Sequence, residues 1–201
     1  ENDRRFAFED SLRNAYIATF PTEESLKGYA YPQAIPYLVK ARGNWRVIKD
    51  FIEQNADRQE RAMDLLYTLS NKDLRDMQRD ILDDNMNAKS DQLSPRVEDE
   101  LVILPFKQAL YDAFSAADRQ RFRQNPALLV DWIRTHVKLN PDTRAMRIPQ
   151  TPMGVWKSRL TDARSRDIFF VDLARSLDIE ARKDVVTQKV QYRHDGRWMY
   201  V

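Results

Sequence analysis

The sequence predicts an α+β protein: an all-helical region followed by a core of one buried helix and an antiparallel hairpin. Three observations predict it. From residue 6 to about 139, apolar residues recur every third or fourth position, the period of a helix face. The stretch "RDIFFVDLARSLDI", 166–179, is apolar around much of its circumference, as a central helix is. Beyond 183, "VVTQKVQY" and "RWMYV" are branched or aromatic runs joined through "HDG", a hairpin-turn signal.

In chain order, "FEDSLRNAYIATF" places Phe8, Leu12, Tyr16 and Phe20 on one side of a first helix. Pro21 stops it, and Thr22 offers an N-cap to "EESLKGYA". "NWRVIKDFIEQN" repeats the pattern with Trp45, Ile48, Phe51 and Ile52, and "RQERAMDLLYTL" with Ala62, Leu65, Leu66 and Leu69. Asn71 can cap "KDLRDMQRDIL", which carries Asp73 in its first turn, where a helix favours negative charge. The polar segment 83–95 then predicts a solvated connection, and the domain boundary is placed near 94, giving regions 1–94 and 95–201. Ser94 and Pro95 form an N-cap and first-position pair for "RVEDELVILPFKQALYDAF", which Pro105 should kink or split. "NPALLVDWIRTHVKLN" reads as a further helix with Leu129, Trp132, Ile133 and Val137 inward. "PDTRAMRIPQTPMGVW", with three prolines, reads as an irregular connection.

Composition narrows the function classes. Hydrophobic residues form 42% of the chain and charged residues 32%, a globular rather than a disordered balance. A net charge of +2 provides no single-sign field for nucleic acid, and the basic run "DRQRFRQ" is expected to be a solvated helix face. No run reaches the roughly 20 apolar residues of a membrane-spanning helix. There is no cysteine, which excludes disulfides, thiolate metal sites and a thiol nucleophile, and the two histidines, His136 and His194, are too few for a multi-imidazole zinc site. Asp83, Asn85, Asn87 and Asp91 are spaced somewhat like a calcium loop, but Ala88 replaces its glycine and Ser94 its bidentate glutamate. No metal or cofactor is expected.

Thr161 and Asp162 stand just before the buried helix, where side-chain oxygens meet the free amides of a first turn. A residue there feels positive dipole potential that stabilises a thiolate, so a cysteine nucleophile would belong at this point. The text "TDA", then "FFVDLARSLDIEAR", then a strand pair closing on "DGRWMYV" resembles the core of the transglutaminase-like superfamily. In that family a cysteine opens a long buried helix that ends in an arginine, a Leu-Gly-Ile-Pro-like turn and an Ala-Arg strand. The spacing agrees, since Arg175 lies twelve and Ile179 sixteen residues beyond Ala163. The resemblance covers roughly 125–201 and is most specific over 150–201, with "NPALLVDWIRTHV" fitting the helix that precedes the core.

The resemblance implies a partial transglutaminase-like core with Ala163 at the nucleophile position. A methyl group cannot attack a carbonyl. The family's general base, a histidine opening the next strand, falls near Thr187, with Lys189 or Gln191 as alternatives; none of the three is histidine. A third family residue, Asp or Asn, would lie beyond Val201, so the 201 residues are expected to belong to a longer polypeptide. Ser165 and His194 could be drawn as a replacement dyad, but helix capping by Ser165 and a turn position for His194 are the simpler expectations. His136 is expected at the surface. Trp156, Arg164 and Trp198 are the candidate binding residues, with Arg166 and Arg175 as further carboxylate partners, although the tryptophans also suit core packing.

The expected function is therefore a non-catalytic transglutaminase-like domain, a binding or structural module of a larger protein that meets a peptide, glycan or protein surface. The alternative is a hydrolase or acyltransferase of the same class, using a nucleophile other than cysteine or residues beyond Val201. The family resemblance points to the periplasm or cell surface of a bacterium, with a cytoplasmic location left open.

Overall fold

The structure, a computed structural model, describes residues 1–142 and 148–201. The chain is α+β and divides into two compact units, Glu1–Asp83 and Asp84–Val201. No helix among the described residues is long and apolar enough to cross a membrane.

The first unit is helical: α1 (Asn2–Ile17), α2 (Ile35–Ala41), α3 (Trp45–Gln54), α4 (Gln59–Tyr67), α5 (Asn71–Asp76) and α6 (Arg79–Met86), the last running across the boundary. α2 packs on α3 and α5. Leu38, Ile48, Phe51, Ile52, Ala62, Leu65 and Leu66 are fully buried, as the helical period predicts. Burial of the leucine, isoleucine and phenylalanine side chains stabilises by roughly 1.5–3 kcal/mol each.

Four expectations change here. α1 has no buried residue, and Phe8, Leu12 and Tyr16 stay more than half exposed, because this helix meets its unit mainly through the 3-10 turn Arg42–Asn44. Residues 23–28 are turns rather than a helix, although Thr22 Oγ1 does accept the Ser25 amide, at 3.1 Å. Ser70, not Asn71, caps α5, in a reciprocal box with Asp73. Met77 is extended and splits the expected single helix into α5 and α6; its carbonyl accepts from Asn44 Nδ2 at 3.0 Å.

The second unit holds α7 (Lys107–Asp112), α8 (Ala116–Gln124), α9 (Ala127–His136), β1 (Lys138–Leu139), α10 (Pro152–Ser158), β2 (Leu160–Thr161), α11 (Ala163–Ser176), β3 (Ala181–Lys183), β4 (Val190–His194) and β5 (Arg197–Tyr200). β1 and β2 form a short parallel pair. The sheet runs β3-β4-β5, antiparallel throughout, with Ala181 opposite Tyr192 and Tyr192 opposite Met199. Asp195 and Gly196 both take positive φ, 49° and 76°, as a two-residue hairpin turn demands. α11 is the centre of this unit: it packs against α7, α9, α10, β3 and β4, and Ile168, Phe169, Phe170, Val171, Leu173 and Ala174 are all buried.

The expected solvated connection at 83–95 is instead partly core. α6 consumes its first residues, and Asn85, Met86, Ser90 and Leu93 are buried. Asp83 pairs with Arg79 at 2.8 Å rather than opening a loop. The expected helix over 96–106 does not form; the Glu100 carboxylate accepts the amides of Val97 and Glu98, at 2.6 and 2.8 Å, and so competes with helical hydrogen bonding. Helix begins only at Lys107, where Asp84 accepts three amides, from Phe106, Lys107 and Gln108, at 2.8, 2.8 and 3.0 Å.

Of the expected irregular connection 141–156, residues 143–147 lie outside the described residues, and its end is helical. Thr151 Oγ1 accepts from Gly154 at 3.0 Å and Pro152 takes the first helical position, so this proline starts α10 rather than marking a loop. "VVTQK" is a turn, not a strand: Asp184 accepts the Val186 amide at 2.9 Å, and Val185 and Val186 are exposed.

Candidate functional site at the start of the central helix

Asp162 is the N-cap of α11 and fixes its first turn twice. One carboxylate oxygen accepts the Ser165 amide at 2.8 Å, the other the Ser165 hydroxyl at 3.0 Å. Ser165 Oγ in turn accepts the Gln150 amide at 3.0 Å, which ties the segment before α10 to this helix start. Ser165 is buried, and its oxygen is engaged on both sides. No hydrogen bond joins it to His194 among the described residues; His194 ends β4, 3.4 Å from Asp195.

Ala163 is the first residue of α11 and is exposed, with its methyl group at the positive end of the helix dipole. Thr187 lies in the exposed turn between β3 and β4, Lys189 just before β4, and Gln191 buried within β4. His136 is exposed, stacked on Trp132 with ring centroids 4.4 Å apart.

The candidate binding residues fall into separate clusters. Trp156 stacks on Trp132 with centroids 5.8 Å apart, and the Arg159 guanidinium lies 3.8 Å from the Trp156 centroid and 5.0 Å from that of Trp132. Burial depresses the Arg159 pKa, yet two indole faces suit a weakly hydrated guanidinium. Trp198 is covered by Arg182 at 4.0 Å. Arg164 is held by Glu98 at 3.0 Å and Asp99 at 2.6 Å. Burial alone would raise the Glu98 carboxyl, but Lys183 and Arg164 outweigh it and hold the pKa below its ordinary value. Arg175 is largely buried and donates to the carbonyls of Ala181 and Arg96, at 3.1 and 3.4 Å.

One turn along the helix from Ala163, Arg166, Asp167 and Phe170 join Val130, Ile133 and Arg134 of α9 and Val201 around a cavity of about 90 Å³. Burial pushes the Asp167 carboxyl above its ordinary range, against the pull of Lys183 and Arg166. The volume is well below the roughly 300–1,000 Å³ of small-molecule sites.

Sequence reasoning missed a buried carboxyl group deeper in the same helix. Asp172 is fully buried, and neither carboxylate oxygen has a hydrogen-bond partner among the described residues. Burial, then the nearby Glu100, drive its pKa well above the ordinary value, and Arg175 and Lys107 only partly oppose this. Lys107, equally buried, donates to the carbonyls of Gln92 and Ser94 at 3.0 and 3.3 Å. Nothing in the sequence separates Asp172 from the surface carboxylates, because its neighbour Glu100 comes from a distant segment.

Fold and site together define an α+β protein whose central helix opens on an unreactive residue. Compared with known proteins, the chain matches no family model, no curated protein and no solved structure.

Proposed function

We propose that the region from α9 to β5 is a transglutaminase-like domain without its nucleophile, serving as a peptide- or glycan-binding or structural module of a larger extracytoplasmic bacterial protein. One observation carries this reading: Ala163 occupies the first, exposed position of a helix that is buried over most of its length and whose start is capped by Asp162. The element order supports it, since α11 is followed by a tight turn, the Ala-Arg strand β3 and the β4-β5 hairpin. Against a serine-based enzyme, Ser165 spends its hydroxyl on Asp162 and Gln150 and lies far from use as a nucleophile.

The test has two arms. The chain should neither hydrolyse peptide amides nor transfer a glutamine acyl group to an amine, and turnover that disappears in Ser165→Ala would establish the enzyme reading instead. Soluble peptides and oligosaccharides titrated into labelled protein should shift amide resonances around α10, α11 and β5; absence of any such shift with both ligand classes counts against a binding role.

A further inference from the structure

We propose that a cleft within the first unit, formed by α1, the turn Arg42–Asn44 and α5, binds a small aromatic organic anion. Three guanidiniums line it, from Arg13, Arg42 and Arg75, with Tyr16 and Phe20 as its aromatic wall. It is a shallow depression, wide open to solvent, with a volume of about 630 Å³.

The charges are available. Arg13 is 3.1 Å from Asp10, but neither the Arg42 nor the Arg75 guanidinium has an ion pair or hydrogen bond among the described residues. The one acid on the lining, Asp76, is held by Lys72 at 2.7 Å. Guanidiniums in this number suit a carboxylate or phosphate, which each can grip through two donors. The aromatic wall is preset, because Tyr16 and Phe20 meet edge to face with centroids 5.0 Å apart.

The backbone is built around this arrangement. A Cβ on Gly43 would run into the hydroxyl end of Tyr16, so a larger residue here would push the tyrosine off the turn. Arg42 takes φ 51° and ψ −119°, a conformation ordinarily left to glycine at the first central position of a type II′ turn. Asn44 fastens the turn to α5 by donating to the carbonyls of Leu74 and Met77, both at 3.0 Å. An arginine held where glycine would be more stable is the pattern of a residue kept for its side chain.

Titration of the full chain with phenyl phosphate and with benzoate, followed by calorimetry and amide shifts, tests this. Either anion should bind saturably, inorganic phosphate more weakly, and phenol not at all. Arg75→Gln and Arg42→Gly should each weaken anion binding roughly tenfold. Arg42→Gly should also unfold at a higher temperature than the parent, which separates loss of the site from loss of the fold. Unchanged affinity in both variants, equal binding of inorganic and phenyl phosphate, or no saturable binding of either organic anion at millimolar concentration overturns the proposal.

Discussion

Asp172 shows what a single side chain contributes and when. Its carboxyl is raised by burial and by Glu100, against Arg175 and Lys107, so the folded chain holds this proton to higher pH than the unfolded chain does. The native state therefore binds more protons in that interval, and stability falls as pH rises. The contribution is complete below the ordinary carboxyl value of about 3.9 and is lost as pH climbs from there toward the raised folded value. Asp172→Asn removes the ionisation and keeps the shape. Its stability relative to the parent should grow with pH by up to about 1.4 kcal/mol per unit in that window. Urea unfolding at a series of pH values measures it, and parallel profiles for the two proteins would show that Asp172 does not titrate on folding.

At the scale of elements, two terminations set how the central helix and its neighbours are held. α11 ends with Asp178 in the left-handed region, φ 62°, while the Ile179 amide reaches back to the Ala174 carbonyl at 2.8 Å. That position favours glycine, so Asp178→Gly should stabilise the chain by about 1 kcal/mol in thermal or urea unfolding. α7 depends on a cap from outside its own sequence, the Asp84 carboxylate. Hydrogen bonds to a charged group are worth about 1.5–3 kcal/mol each in such settings, and water replaces part of that on deletion. Asp84→Ala should cost about 2 kcal/mol, whereas Asp83→Ala, which loses one partly exposed ion pair, should cost less than about 1 kcal/mol.

For the whole chain, the α+β class, the central helix and the hairpin were legible because each rests on a local pattern. Apolar residues around the circumference of 166–179 announce a buried helix, and "DG" between branched runs announces the turn at Asp195 and Gly196. The misread stretch 96–108 turns on side chains that take backbone amides. Glu100 accepts the amides of Val97 and Glu98, and Asp84, from a distant segment, accepts those of Phe106, Lys107 and Gln108, contacts that helical periodicity cannot foresee. Exposed Phe8, Leu12 and Tyr16 mark the opposite error, a periodic stripe that finds no burial in its own unit. At the site, the Asp162 cap and the start of α11 were readable from "TDA", while the small cavity beside Arg166 and Asp167 needed α9 brought alongside.

The stack of Trp132 and Trp156 also gives the second unit an optical signature. Two indoles 19° from parallel and 5.8 Å apart are close enough for their excited states to mix. The other two tryptophans, Trp45 and Trp198, have arginines rather than indoles over their rings. Near-ultraviolet circular dichroism of the folded chain should therefore carry a paired positive and negative band that vanishes in Trp156→Phe. Its disappearance during denaturation would time the separation of α9 from α10, independently of the helix signal summed over the whole chain.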